Sequence, residues 1–486
     1  MNKFSMEVAI SAISGEIISR LVSFLIKKHR DRTCVEEKLQ RLQNLLLRVH
    51  TVVEEAEGRY ITNSHMLLQL RMLVYGMYRG YHVLDTFRFK PLEEIQLEDQ
   101  VSDSYALSIT SPLKRTRAAT AAIGTSMSIN HELQAALENL ETIVANMTEF
   151  VILLGGCKPM HKRPYDTYLY LDNFMFSRIV EKQHIINVLL QDNSPVGAPA
   201  VLPVIGGYSV GKKSLVGYAC NDHMVRSHFS SILHLNSDNF WEVKHETFMS
   251  VKTLVVIEFI SDVDDSEWVK FYSIASLMST GSKVILISRF EEIARFGTLK
   301  PIHLKSLSDS EFVYLFKVLA FGGTDPENHP QLASVVMEIA KMLQGLLHTA
   351  NLMADMLRKN QNAGFWLHML KRLKNSLQHN FSVFGEHPKV LYERDHPTDI
   401  TMFASPDTPL HLMPPRSECS SCKSELSKVT FGDLLYGSTT VPPKKEFQIT
   451  VWESRIPPFT KFVANCTQDK RPCTSSYHKK RRWSCK

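Results

Sequence analysis

Chemistry is most concentrated at Gly206-Gly207-Tyr208-Ser209-Val210-Gly211-Lys212-Lys213-Ser214-Leu215. Gly206, Gly211 and Lys212 have the spacing of a phosphate-binding loop. In such a loop, backbone N–H groups and a helix N-terminus face the phosphates, and the lysine reaches their outer oxygens. The motif calls for Ser or Thr after that lysine, because its hydroxyl holds Mg²⁺. Here the residue is Lys213, and Ser214 comes one place late. An ammonium binds phosphate but does not ligate a cation, so nucleotide is expected to be bound better than it is hydrolysed. An ordinary strand, glycine-rich turn and helix would have the same letters, and on this motif alone that alternative stays open.

Two further residues add to the loop. Thr253-Leu254-Val255-Val256-Ile257-Glu258 is a continuous apolar run ending in an acid, the pattern of a buried parallel strand that delivers a carboxylate at its C-terminal end. Glu258 is thus a candidate metal- or water-orienting acid, the alternative being a solvent-facing strand end. Gly281 to Arg289 is another buried strand, and Arg289 at its end is suited to bidentate phosphate contact, or is a plain surface arginine.

The elements that must position these residues are readable around them. Ala200 to Ile205 is an apolar run ahead of the loop, and Leu215 to Ala219 opens a helix after it. Tyr165 to Tyr170 can be extended, a helix runs through Ile185 to Leu189, and Phe229 to Leu235 alternates like a strand. Apolar strands separated by helix-length segments argue for a parallel α/β sheet.

Ahead of this region lie four amphipathic stripes. Ile10, Ile13, Ile17, Leu21 and Phe24 mark the first, and Val35, Leu39, Leu42, Leu46, Val49, Val53 and Ala56 the second. Leu67, Leu70, Val74, Met77, Tyr81, Leu84 and Phe87 mark a third helix starting near Thr62 or Asn63. Leu133 to Leu154 mark the fourth, with Gly155-Gly156 as its cap. The expectation is a four-helix bundle. The stripes either fill its own core or are shared with a partner chain as a coiled coil.

Length, 486 residues, suggests about three domains. The net charge of +6 belongs to the C-terminus: Val441 to Lys486 carries eleven Lys and Arg against three acids, so the rest sums to about −2. No apolar run approaches the ~20 residues that span a bilayer. Eight cysteines in a chain this long do not make a disulfide framework, which points to a reducing, cytoplasmic setting.

The order of these pieces resembles plant intracellular immune receptors of the coiled-coil, nucleotide-binding, leucine-rich-repeat class. Gly206 to Leu215 is similar to that family's Gly-Met-Gly-Gly-Val-Gly-Lys-Thr-Thr-Leu: Gly206, Val210, Gly211, Lys212 and Leu215 agree, Ser214 is conservative, and Lys213 departs. Ile257-Glu258-Phe259 stands where the family has Leu-Asp-Asp, so one acid is kept as Glu and the presumed catalytic one is replaced. Gly281-Ser282-Lys283 through Ser288-Arg289 resembles the family's Gly-Ser-Lys to Thr-Thr-Arg segment. Leu304-Lys305-Ser306-Leu307-Ser308 with Ala320-Phe321-Gly322 resembles a later one. Gly345-Leu346-Leu347-His348-Thr349 keeps two residues of Gly-Leu-Pro-Leu-Ala. Tyr81 to Asp85 sits at the family's acidic motif, with only Asp85 matching.

The resemblance implies an Rx-type bundle over 5–155, a linker over 156–175 and a P-loop NTPase-like NB-ARC α/β domain over 176–300. It further implies a helical ARC-like subdomain over 301–372 and a divergent, irregular or β-containing tail over 373–486. It implies ADP or ATP as ligand, held by Gly206, Val210, Gly211, Lys212, Lys213, Ser214, Leu215, Glu258 and Arg289, with Mg²⁺ doubtful. The expected protein is a defence switch and at most a weak ATPase, with other immune receptors, signalling proteins or itself as partners of the bundle. The alternative is a scaffold, adaptor or decoy that binds no nucleotide and acts through the bundle.

The last 115 residues show no leucine repeat and no Met-His-Asp run, as in a truncated or divergent member. Phe447 to Trp452 suggests a small β unit. Cys419-Ser420-Ser421-Cys422, with Cys466, Cys473, His478 and Cys485, has partial zinc-ligand spacing, with unlinked thiols as the alternative. Lys479 to Arg482 reads as a nuclear import signal, a nucleic-acid patch or a solvated terminus. Aromatics are too little interleaved with basic residues for a single-strand binding surface.

Overall fold

The computed structural model describes residues 34–89, 130–160, 176–191, 198–237, 240, 251–404, 409–413, 416–417, 429–436, 446–453 and 461–468. The first amphipathic stripe, the 165–170 stretch, the Cys419 pair and the basic run at 479–482 lie outside them. The chain divides into two compact units, Met1–Met160 and His161–Lys486.

The first unit is helical. α1 covers 34–57, α2 covers Ser64–Arg88, α3 covers 130–146 and α4 covers Thr148–Gly155. The α1 stripe faces inward, with Leu42, Leu46, Val49, Val53 and Ala56 all buried. Asn63 starts α2 by accepting from the backbone N–H groups of His65 and Met66. Gly80 fits where a side chain would collide with Leu46 and Leu140.

The expected fourth helix is two. The chain breaks at Met147, which rotates the buried face by one residue: Phe150 is fully buried, whereas Val151 is 42% exposed. A short antiparallel pair, β1 (Arg59–Tyr60) with β2 (Lys158–Pro159), ties the segment after α1 to the segment after α4. α2 also leaves Leu68, Met72 and Tyr75 exposed at four- and three-residue steps. Among the described residues no helix is long and apolar enough to cross a membrane.

The second unit begins with an α/β layer. α5 (Ile179–Leu190) precedes β3 (Ala200–Gly206), α6 (Lys212–Asn221), α7 (His223–His228) and β4 (Ser231–Asn236). Then come β5 (Thr253–Phe259), α8 (Asp265–Ala275), β6 (Lys283–Ser288) and β7 (Ile302–Leu304). The five strands form one parallel sheet in the order β4-β5-β6-β3-β7. β3, β5 and β6 are covered on both faces, which is why they read as unbroken apolar runs. Val201, Val255, Ile257, Val284 and Leu286 pack with Phe240, Trp268 and Phe271 in the core. Lys283, only 3% exposed, turns its ammonium onto the Val188 carbonyl at 2.6 Å and those of Leu189 and Gln191, capping the C-terminal end of α5.

A helical layer follows: α9 (Asp309–Phe321), α10 (Pro330–Leu343), α11 (Leu347–Lys359) and α12 (Ala363–Phe384). Ser308 and Glu311 form a reciprocal capping box on α9. Trp366, fully buried, donates from its indole to the carbonyls of Leu357 and Asn360, locking α12 to the end of α11.

The C-terminal third is more ordered than expected. α12 runs twelve residues past 372, α13 (Pro388–Glu393) follows, and five strands form an antiparallel sheet. β11 (Glu446–Glu453) lies along β12 (Lys461–Gln468), β9 (Leu410–Leu412) and β10 (Arg416–Ser417) pair with the two ends of β12, and β8 (Thr398–Asp399) pairs with β9. Cys466 is buried inside this sheet with its thiol pushed up to about 12 by burial, as a packed side chain rather than a ready ligand. Among the described residues no group of three His, Cys, Asp or Glu side chains is placed to hold a metal.

Candidate functional site

The sheet order fixes where a ligand would sit. β3 lies between β6 and β7, yet the chain leaving β3 continues to β4 at the far edge. The connections after β3 and β6 therefore diverge to opposite sides, and ligands of open α/β sheets bind in the crevice at the carboxyl ends of such strands. The loop from Gly206 to Gly211 lies there.

Sequence dictates the loop's shape. Gly206 has no room for a side chain, because a Cβ would stand 2.5 Å from the Leu304 carbonyl of β7. Gly211 has φ of +89° and begins α6 without a side-chain cap, so the first N–H groups of the helix are not covered from its own cap. Val210 is buried, and its carbonyl accepts from Arg178. Leu215 is buried too, and its amide is used in the first helical bond to the Gly211 carbonyl, so it anchors the helix.

The charged side chains converge but are already partnered. Lys212 donates to the carbonyls of Gly206 at 2.8 Å and Gly207 at 2.7 Å. Burial depresses its pKa to about 8; Glu258 opposes the shift, and Arg289 and Lys213 add to it. Lys213 is ion-paired with Glu258. Ser214 is the next residue along α6, turned by about 100° from position 213 in an α-helix. Phe259, in the place of a second acid, is buried against Phe240 with ring centroids 5.0 Å apart. Arg289 forms a two-pronged pair with Asp395 and lies over the Phe290 ring.

Three contacts from far along the chain were not legible in the sequence. His348, in the first turn of α11, is 2.7 Å from the Ser209 hydroxyl through Nδ1, and burial pushes its pKa down to about 4. Tyr392 of α13 stacks on Tyr208, the planes within 4°. Asp395, just beyond α13, holds Arg289. Ser209 itself sits at φ of +56°, a left-handed conformation unusual for a serine. The Tyr208 hydroxyl is buried with no hydrogen-bond partner. The one available signal was that Tyr208 and Ser209 are non-glycines where the pattern of the resembled family has Gly-Gly.

Residues as they stand fit a phosphate-bearing ligand: a glycine-capped helix N-terminus, a half-buried lysine resting on loop carbonyls, and a strand-end arginine. They do not fit Mg²⁺, because the position for its hydroxyl carries an ammonium and the strand-end acid is tied to that ammonium.

Comparison with known proteins bears on both units. The Rx N-terminal domain family matches residues 15–105. Disease resistance protein RGA2 of Solanum bulbocastanum is 21% identical over 363 residues, covering 69% of this chain and 36% of that protein. Putative disease resistance protein RGA4 of the same species is 25% identical over 223 residues, covering 40% and 22%. Putative disease resistance RPP13-like protein 1 of Arabidopsis thaliana is 22% identical over 392 residues, covering 72% and 36%. Among solved structures, Saccharomyces cerevisiae RIF2 matches with a TM-score of 0.23 at 11% identity over 47% of this chain and 95% of that one, too slight a likeness to bear on the fold. The chain is similar to plant disease-resistance proteins, with a match to the Rx N-terminal domain in its first unit followed by an α/β region. It spans 36% or less of the length of these three relatives.

Proposed function

We propose that the protein is a plant defence switch whose second unit binds ADP or ATP at the Gly206–Lys212 loop, with weak or no hydrolysis. ADP keeps the helical and C-terminal layers closed on the loop; exchange for ATP favours release and frees the N-terminal helices to engage partners. One observation carries this reading: His348, Tyr392 and Asp395 all close on the loop and on Arg289, so the terminal phosphate of ATP, which ADP lacks, would compete there with those contacts. The exposed stripe Leu68, Met72 and Tyr75 supports the N-terminal helices as the partner-binding part. Calorimetric titration of ADP into the full chain tests it. Binding is expected in the wild type and is lost in Lys212→Ala; a folded wild-type protein that releases no heat with ADP refutes it.

A second reading is a scaffold that binds no nucleotide. It is favoured by the fact that Lys212, Lys213 and Arg289 each already have a partner within the chain. Under it, ADP gives no heat and the N-terminal helices still pair with those of other receptors.

A further inference from the structure

A phosphate-binding loop ordinarily works with a divalent cation, held by the hydroxyl after the loop lysine and by the acid at the end of a neighbouring strand. Both holders are altered in this chain, and each alteration answers the other. The hydroxyl position is Lys213, the strand-end acid is Glu258 of β5, and the two are paired directly, with side-chain exposures of 23% and 24%. Ser214 is turned away by one helical step, and Phe259 removes the second carboxylate into the core. Of the next three acids along the chain, Asp262 and Asp265 are taken by Arg295 at 2.9 and 3.0 Å, and Asp264 caps α8 by accepting from the Ser266 N–H.

We infer that Lys213 stands in for the metal: the site takes metal-free nucleoside diphosphate or triphosphate, with a fixed ammonium supplying the positive charge that Mg²⁺ supplies elsewhere. This rests on the nucleotide reading above. Glu258 has a different task here. It holds the ammonium in place until phosphate arrives, then shares it. A magnesium complex is disfavoured, because Mg²⁺ beside Lys213 is a like-charge contact in a partly buried site, where Coulomb terms are several-fold larger than in water.

The test is the affinity of the full-length protein for ADP in excess MgCl₂ and in EDTA. Equal or tighter binding in EDTA is expected for the wild type. Lys213→Thr restores the hydroxyl and frees Glu258, and its affinity is expected to fall about tenfold on removing magnesium, a difference of about 1.4 kcal/mol. Wild-type binding that weakens tenfold or more in EDTA overturns the inference and leaves the nucleotide reading intact. No heat in either buffer overturns both. The wild-type comparison decides the matter alone should Lys213→Thr fail to fold.

Discussion

If the loop binds nucleotide as proposed, the depressed pKa of Lys212 makes that binding a proton-linked event of calculable size. In the free site burial holds the ammonium at about 8, with the Gly206 and Gly207 carbonyls as hydrogen-bond acceptors. Phosphate oxygens favour the charged form, so bound nucleotide raises that pKa. Binding therefore takes up a proton wherever the free lysine has lost one. With a free pKa of about 8, the uptake is about half a proton at pH 8 and about nine-tenths at pH 9. Affinity then falls about tenfold between pH 7 and pH 9, because the neutral form must be reprotonated before it can bind. The direction is fixed: affinity is nearly full at pH 7, about halved at pH 8, and declines further above it. Phosphate's own second ionisation, near 6, is complete in this window and adds nothing. The assay is calorimetry at pH 8.5 in buffers of differing ionisation enthalpy, where the slope of heat against that enthalpy is the proton count. Lys212→Arg, always charged, should lose the slope while keeping residual binding. Binding with intact affinity and no buffer dependence at pH 8.5 would refute the assignment of Lys212 as the phosphate ligand.

Two stability predictions follow from the same unit. Lys283→Met removes a buried ammonium from three carbonyls at the end of α5 and should lower unfolding stability by about 3 kcal/mol, read from urea midpoints; a loss under about 0.5 kcal/mol, ordinary for a surface site, contradicts the cap. His348 has its folded pKa below the ordinary 6.5, so its contribution is present above 6.5 and is lost as pH falls toward about 4. The acid limb of the stability curve should be shallower in His348→Gln by about 3 kcal/mol across that window, and parallel curves would show the ring to be solvated.

Long, doubly covered strands were legible because burial on both faces leaves only apolar letters: β3, β5 and β6 stand where their runs predict. β7, with three residues and a histidine in the middle, gives no such run. The break at Met147 was hidden because a four-three pattern continues through it; only packing shows the face turning from Val151 to Phe150. In the C-terminal third, β11 was visible in Phe447 to Trp452, whereas β8, β9 and β10 are two or three residues long and exist only through β12. Of the site, the loop, Glu258 and Arg289 were readable from local pattern. Their occupants were not: nothing near Arg289 names Asp395, and nothing near Glu258 names Lys213 as its counter-ion.

Several ties at the loop are distant in sequence. Arg178 reaches the Val210 carbonyl from 32 residues before it and the Lys305 carbonyl from 127, His348 reaches Ser209 across 139, and Asp395 reaches Arg289 across 106. Each such closure costs chain entropy before any contact rewards it. The glycine-rich turn, written in ten consecutive residues, is thus held in shape by residues far from it. During synthesis it emerges long before the segment that pins it. A fragment ending at residue 375 would keep every letter of the motif and lack Tyr392 and Asp395. Its loop would keep the His348 and Arg178 contacts while Tyr208 and Arg289 lose theirs.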